Sequence, residues 1–197
     1  RLAPVQAHFL GYPGTLGTDF IDYIFVDSFI APEQQERYFA ERIIRLPDSY
    51  QVNDQTRAIA DHTPTRADCG LPDTGFVFCC FNQTYKITPP VFDIWMRLLS
   101  TVTGSVLWLL QSNEPAADNL RYEAMARNID PKRLIFAPRM ELADHLARHR
   151  LADLFLDTLP YNAHTTASDA LWAELPVLTC AGDSMAARVA GSLLRAV

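Results

Sequence analysis

The sequence predicts an α/β protein in which parallel sheets are covered by helices on both faces. From about residue 76 onward, short apolar runs of strand length alternate five times with segments that place apolar residues at helical spacing. The loops between them are short, and such strand–helix–strand connections produce parallel sheets. Of the 197 residues, 49% are hydrophobic, enough for one large α/β domain or parts of two. Together these observations predict Rossmann-like layers.

The first third of the chain predicts three strands and one helix. Residues 5–10 read as a buried strand, and residues 11–17 form a tight loop because they contain three glycines and a proline. Ile21 to Val26 is the next strand. Pro32 begins a helix that runs to about Arg42, and Ile43 to Leu46 is a further short strand.

From Pro47 to Cys69 the hydrophobic periodicity lapses, which predicts a linker between two lobes. We therefore divide the chain into residues 1–66, the end of a first lobe with the linker, and residues 67–197, most of a second lobe. The second part predicts strands at 76–81, 105–110, 134–136, 154–156 and 177–179, with helices at 89–102, 116–128, 141–149, from 164, and at 188–197.

Composition excludes several classes of protein. A net charge of −6 disfavours a nucleic-acid-binding surface, and no apolar run approaches the roughly 20 residues of a membrane span. The four cysteines lack zinc-site spacing, so buried free thiols in a reducing cytoplasm are expected for the adjacent Cys79 and Cys80. The final helix has no stop signal, and we expect the chain to be a piece of a longer protein. The three tryptophans, at 95, 108 and 172, are expected in the core.

The stretch from Leu154 to Pro176 predicts a strand, a loop and a helix whose first turn holds His164, Thr165 and Thr166. Helix starts at the carboxyl edge of a parallel sheet offer free N–H groups to anions, so this stretch predicts a phosphate site. Asp169, one turn into the helix, is placed to accept hydrogen bonds from ribose hydroxyls. The alternative is that the threonines cap their own helix and the histidine only packs.

The loop after the 76–81 strand should open on the same edge of the sheet. In it, Lys86 can supply positive charge to a phosphate, and Gln83 offers both a donor and an acceptor. Lys86 could instead simply begin a solvated helix. The glycine-rich loop is open to two interpretations as well, since glycine serves either positive φ angles or the close approach of a ligand.

His145 and His149 share a helix face, but Leu146 stands where a zinc-protease helix has its glutamate. Zinc is therefore not expected, and His145 either faces the ligand loop or is a surface histidine. The chain also lacks a D-x-D motif, so no divalent metal is needed to bridge phosphates.

Four segments in this order resemble the catalytic region of O-GlcNAc transferases, a family that includes plant SPINDLY-like proteins and bacterial homologues with tetratricopeptide repeats. The resemblance extends from about Gln6 to Val197 and is closest to a bacterial member. The segments are Leu-Gly-Tyr-Pro-Gly-Thr at 10–15, Phe-Asn-Gln-Thr-Tyr-Lys-Ile at 81–87, Ser-Val-Leu-Trp-Leu-Leu at 105–110, and Ala-Asp-Leu-Phe-Leu-Asp-Thr followed by His-Thr-Thr-Ala-Ser-Asp within 152–169.

The resemblance implies a GT-B glycosyltransferase, inverting and metal-independent, that binds a UDP-sugar between two Rossmann-like lobes and needs no cofactor. It assigns the diphosphate to Lys86 and the helix start, and the donor sugar to Leu10 and Gly11. The remaining implied contacts are Gln83 to the nucleotide, His145 near the uracil or ribose, His164, Thr165 and Thr166 to the diphosphate, and Asp169 to the ribose.

The chain departs from the family pattern in two respects. Two residues after Met140, where animal enzymes carry a lysine, this chain has Leu142. The tetratricopeptide repeats, most of the first lobe and the family's candidate catalytic histidine are expected elsewhere in the full protein, so this chain alone is expected to be inactive.

The resemblance predicts a cytoplasmic enzyme that transfers N-acetylglucosamine from UDP-GlcNAc to protein serine or threonine hydroxyls. The alternatives are a transferase of the same fold that uses another nucleotide sugar or asparagine acceptors, and a non-catalytic UDP-binding scaffold.

Overall fold

The computed structural model describes residues 2–197 and contains two parallel sheets. The first has the strand order β1-β2-β3, with β1 (Ala7–His8), β2 (Tyr23–Asp27) and β3 (Arg42–Leu46). The second and third strands confirm the sequence prediction to within about two residues. The sheet belongs to the part of the chain that precedes the linker.

Two predictions in this first part are wrong. The strand predicted at residues 5–10 is only two residues long and largely exposed, because β1 lies at the sheet edge and pairs with β2 alone. The helix predicted from Pro32 to Arg42 is a 3-10 helix, Glu33–Tyr38, with no buried residue. Its sequence, Glu-Gln-Gln-Glu-Arg-Tyr, has no apolar stripe that could dock an α-helix on the sheet.

The second sheet has five parallel strands in the order β6-β5-β4-β7-β8. All five were predicted from the apolar runs, and the central strands are almost fully buried, as expected for a sheet covered on both faces. The strands are β4 (Val77–Cys80), β5 (Val106–Leu110), β6 (Leu134–Ala137), β7 (Leu154–Leu156) and β8 (Val177–Leu178).

Five α-helices pack on these strands, which confirms the predicted α/β class. The first begins with two prolines, whose fixed φ suits the first helical turn, and buries one apolar stripe against the sheet. No helix within residues 2–197 combines the length and apolar character needed to cross a membrane. The helices are α1 (Pro89–Thr101), α2 (Glu114–Met125), α3 (Leu142–Arg148), α4 (Thr165–Trp172) and α5 (Val189–Ala196).

Cys79 and Cys80 are buried and free, as predicted, and burial raises the pKa of the Cys80 thiol to about 12. Trp95 and Trp108 lie in the core, but the expectation that Trp172 does so is wrong. Its side chain is 37% exposed, and its indole Nε1 donates a hydrogen bond to the Arg57 carbonyl at 3.2 Å.

The strand order brings two loops together. From the central strand β4 the chain moves outward to β5 and β6, then returns to the other side of β4 as β7 and β8. The loops that follow β4 and β7 therefore leave the sheet side by side, at the point where the order reverses. Ligands of open parallel sheets bind at this position.

Helix α5 joins the two sheets. Val189 packs in the small core beneath the first sheet, whereas Ala190 and Leu193 pack in the large core of the second. Ser192 donates a hydrogen bond to the buried Asp27 carboxylate at the end of β2, at 2.6 Å. This helix fixes the first sheet against the lobe that contains the candidate site.

Gly191 lies where α5 meets Phe29, and a Cβ at this position would come within 2.5 Å of the ring atom Cε1. We expect Gly191→Ala to lower the free energy of unfolding by about 1–3 kcal/mol, because overpacking outweighs the better helix propensity of alanine. Thermal unfolding measures the change. Gly11→Ala is the control, since its Cβ would meet its nearest neighbour at 3.9 Å. Equal stability of the two variants would contradict the packing argument.

Candidate nucleotide-sugar site

The partly buried carboxylate of Asp157 organises the loop between β7 and α4. Oδ1 of Asp157 accepts hydrogen bonds from the backbone N–H groups of Thr158 (2.7 Å) and Ala163 (2.5 Å), and Oδ2 accepts from the Thr179 hydroxyl at 2.6 Å. Burial raises the pKa of Asp157, and these hydrogen bonds oppose the rise because they favour the carboxylate. The two backbone bonds draw the ends of the loop together, which sets the entry into α4.

Asn82 connects this loop to the end of β4. Its side-chain amide Nδ2 donates to the Thr158 hydroxyl at 2.8 Å, and its Oδ1 accepts a hydrogen bond from the Thr166 hydroxyl. The Thr166 hydroxyl therefore already has an acceptor within the protein, so Thr166 offers a ligand mainly its backbone N–H. Asn82 is buried and was not among the residues that the sequence analysis selected.

Lys86 reaches from the β4 loop to the β7 loop. Its Nζ donates to the Asn162 carbonyl at 2.9 Å and lies 4.1 Å from the centre of the Tyr161 ring. Burial lowers the pKa of Lys86, and the Asp157 carboxylate acts in the opposite direction. The structure thus brings Lys86 to the loop that leads into the predicted helix start. Its hydrogen-bond partner, Asn162, lies two residues before His164.

The predicted helix start is present. Helix α4 begins at Thr165, and within residues 2–197 no side chain caps it. The interpretation of the threonines as caps for their own helix is therefore wrong. The N–H groups of Thr165 and Thr166, in the first turn, have no carbonyl one turn earlier in the helix to bond. These N–H groups and the positive end of the helix dipole are suited to an anion.

His164 contributes no positive charge near neutral pH. Burial lowers its pKa to about 4, with the Lys86 charge acting in the same direction. Its ring stacks on Tyr161 with centroids 4.9 Å apart, and Nε2 lies 3.2 Å from the Ala186 carbonyl. Because a carbonyl can only accept, Nε2 carries the proton and Nδ1 is left as an acceptor. The imidazole thus shapes the site rather than supplying charge.

His145 and His149 form an aromatic group with Phe81 at the end of β4. The His145 ring lies 5.2 Å from that of Phe81 and 4.8 Å from that of His149. Burial lowers the pKa of His145 to about 3 and that of His149 to about 4, so both rings are neutral. Residues 2–197 contain no group of three or more His, Cys, Asp or Glu side chains able to hold a metal ion. The partly exposed, neutral His145 ring offers an apolar face beside the site.

Gln83 and the glycine-rich loop occupy two other borders of this region. Gln83 is partly exposed and precedes the 3-10 turn that ends at Lys86. In the glycine-rich loop, residues 12–15 line a cavity of about 600 Å³ together with residues 183–185. The next residue, Ala186, contacts His164 through its carbonyl. The glycine-rich loop is therefore separated from the helix start by one short segment.

The backbone conformation at the start of the glycine-rich loop differs between Leu10 and Gly11. Leu10 has a positive φ of 59° and packs against the small core. Gly11 is exposed, has no positive φ, and has room for a Cβ. Neither a positive φ nor a close neighbour requires glycine at position 11, whereas Gly17 in the same loop has a φ of 61°.

Asp169 makes a contact that the sequence did not predict. Its carboxylate is buried and forms an ion pair with the guanidinium of Arg57, which belongs to the linker. Burial raises the pKa of Asp169, and the Arg57 hydrogen bond and charge oppose that rise. Sequence reasoning missed Arg57 because the linker has no periodicity that places its side chains. It also missed Asp157, although a polar residue directly after a strand was the signal used to select Gln83 and Lys86.

The family model for glycosyl transferase family 41 matches residues 1–64 and 61–197, which is the whole chain. The chain belongs to this family. An Arabidopsis thaliana protein named a probable UDP-N-acetylglucosamine–peptide N-acetylglucosaminyltransferase SEC is 41% identical over 97% of the chain. A Caenorhabditis elegans UDP-N-acetylglucosamine–peptide N-acetylglucosaminyltransferase is 41% identical over 68% of it. The chain covers 20% and 12% of the lengths of these two relatives.

Solved structures agree with the predicted fold. The O-GlcNAc transferase of Thermobaculum terrenum, solved as a K341M mutant, is similar to this chain with a TM-score of 0.85 and 32% identity. The match covers 98% of this chain and 36% of that one. A glycosyltransferase from Rickettsia africae shares the fold at 10% identity, with a TM-score of 0.52. The family 41 chain therefore has the predicted GT-B type of α/β fold.

We expect Asp157→Ala to lower the free energy of unfolding by about 3 kcal/mol or more, because two buried N–H groups lose a charged acceptor. Asp157→Asn is the matched variant: its amide oxygen can still accept both bonds, and we expect a loss of about 1 kcal/mol. Chemical denaturation measures both. An alanine variant no less stable than the asparagine variant would show that this carboxylate does not hold the loop.

Proposed function

We propose that the protein transfers N-acetylglucosamine from UDP-N-acetylglucosamine to serine and threonine hydroxyls of other proteins. The family 41 membership and the names of the two 41% identical relatives support the donor and the peptide acceptor. The chain covers about a fifth of the Arabidopsis relative, so we propose that tetratricopeptide repeats and the rest of the first lobe act with it in the full protein.

One observation carries the assignment of the diphosphate. The Lys86 ammonium is bonded to the loop that leads directly into the uncapped start of α4. A cation held against this loop and the free N–H groups at its end are suited to bind a pair of phosphates. The neutral rings of His145 and His164 border this site without adding to its charge.

These groups suit an inverting reaction that uses no metal. The acceptor oxygen would attack the anomeric carbon in line and give up its proton to a general base in the rest of the first lobe. The bond to the UDP oxygen would break, and the negative charge would develop on the diphosphate. Lys86 and the N–H groups of Thr165 and Thr166 would stabilise that charge in place of a divalent cation. Leu10 and Gly11 would border the donor sugar, Gln83 and His145 the nucleoside, and Asp169 the ribose.

We expect Lys86→Ala to reduce kcat of the full-length enzyme by two to three orders of magnitude, since loss of one such donor costs about 2.7–4 kcal/mol of the barrier. Release of UDP from UDP-N-acetylglucosamine in the presence of an acceptor protein measures the rate. Lys132→Ala is the matched control because Lys132 lies in a 3-10 turn before β6, at the opposite edge of the sheet.

Undiminished turnover by the Lys86→Ala enzyme would refute this role for the lysine. The same assay with a panel of nucleotide sugars tests the donor. Transfer from UDP-glucose or GDP-fucose in preference to UDP-N-acetylglucosamine would replace the proposed donor, and UDP binding without transfer would identify a scaffold.

A further inference from the structure

Arg57 lies in the linker, 112 residues before its partner Asp169, and is fixed in place from several directions. Its Nε donates to the Asp54 carbonyl at 3.3 Å, and its own carbonyl accepts from the Trp172 indole at 3.2 Å. The guanidinium carbon lies 5.7 Å from the centre of the Trp172 ring. These contacts attach the linker to α4 at the point where Asp169 projects from the helix.

The ion pair itself is largely removed from water. The Arg57 side chain is 11% exposed and that of Asp169 is 8% exposed. A buried carboxylate without a partner is costly, and it responds by taking up a proton. Arg57 opposes that response at Asp169, so it preserves a negative charge inside the protein.

The ion pair occupies only one side of the carboxylate. Arg57 Nη1 bonds to Oδ1, whereas Oδ2 makes no hydrogen bond within residues 2–197. Asp169 lies one helical turn after Thr165, so its free oxygen is on the same helix as the N–H groups proposed to bind the diphosphate. A fixed acceptor one helical turn from a bound diphosphate suits the hydroxyl groups of the attached ribose.

We infer that Arg57 is a positioning residue for donor binding, which holds Asp169 ionised and oriented so that Oδ2 accepts hydrogen bonds from the ribose hydroxyls. The inference rests on the proposed function, because it assumes a nucleoside diphosphate at the start of α4. It assigns a role in the site to the linker, which otherwise has none.

The opposite role would be a plug, in which Arg57 competes with the ribose for Asp169. Three contacts beyond the ion pair hold Arg57 in place, which favours a permanent support over a group that must leave. The two roles predict opposite changes in UDP affinity when Arg57 is removed. Loss of a support weakens UDP binding, whereas loss of a competing group strengthens it.

The test is calorimetric binding of UDP and of 2′,3′-dideoxy-UDP to the full-length protein and its variants. Arg57→Ala should weaken UDP binding about tenfold or more, since it disturbs a hydrogen bond to a charged acceptor. Binding of the dideoxy compound should change by less than about twofold, because that ligand has no ribose hydroxyl for Asp169 to accept from. Arg57→Lys should recover UDP affinity to within about threefold, since only one guanidinium nitrogen contacts the carboxylate.

Arg150→Ala is the matched control. Arg150 holds the same linker through the Ala60 carbonyl at 3.2 Å and the Thr63 hydroxyl at 3.0 Å, but it does not contact Asp169. UDP affinity of this variant should match the wild type to within about twofold. Should Arg57→Ala fail to fold, Arg57→Gln removes the charge while keeping a donor, and the same selective loss of UDP affinity is expected.

Three outcomes overturn the inference. UDP binding by the wild-type protein shows whether the inference fails alone or together with the proposed function. Unchanged or tighter UDP binding by Arg57→Ala excludes the positioning role while leaving the proposed function intact. An equal loss for UDP and the dideoxy compound shows a purely structural role. Failure of the wild-type protein to bind UDP removes the proposed function and this inference together.

Discussion

The Asp157 carboxylate is the contact on which the rest of the site depends. A strand that ends at the edge of a parallel sheet releases its backbone N–H groups from the ladder, and the loop that follows must satisfy them or expose them to water. One oxygen of Asp157 accepts hydrogen bonds from two of these N–H groups. The other oxygen accepts a hydrogen bond from the Thr179 hydroxyl, directly after β8. The loop is thereby closed before α4 begins, and both Asn82 and Lys86 bond to that closed loop.

The distribution of charge around the start of α4 supports the proposal that a diphosphate binds there without a metal. The histidines that looked suited to anions in the sequence are neutral in the structure, because burial lowers their pKa values. Positive potential therefore comes from Lys86 and from the N–H groups at the start of α4. The buried carboxylate of Asp169, which belongs to this helix, is paired with the Arg57 guanidinium, which offsets the cost of burying its charge.

The sequence predicted the second sheet well because a strand buried on both faces is a nearly continuous apolar run, and the helices between such strands show a clear period. The same rule placed Lys86 and the start of α4 at one edge. The apolar pattern was misleading for residues 5–10, of which only Ala7 and His8 form a strand at the sheet edge, and for Trp172, which packs against the linker instead of the core. Neither Arg57 nor the bond between Asn82 and Thr166 could be predicted, because both join segments more than 80 residues apart with no periodic signal.

The central claim is that the start of α4 and Lys86 together hold the diphosphate of the donor. A crystal structure of the full-length protein with bound UDP tests it most directly. The account predicts phosphate oxygens within about 3.2 Å of the backbone nitrogens of Thr165 and Thr166 and of Lys86 Nζ, with no metal between them. A diphosphate bound away from α4, or one bridged by a divalent cation while Lys86 stays on the Asn162 carbonyl, would contradict it.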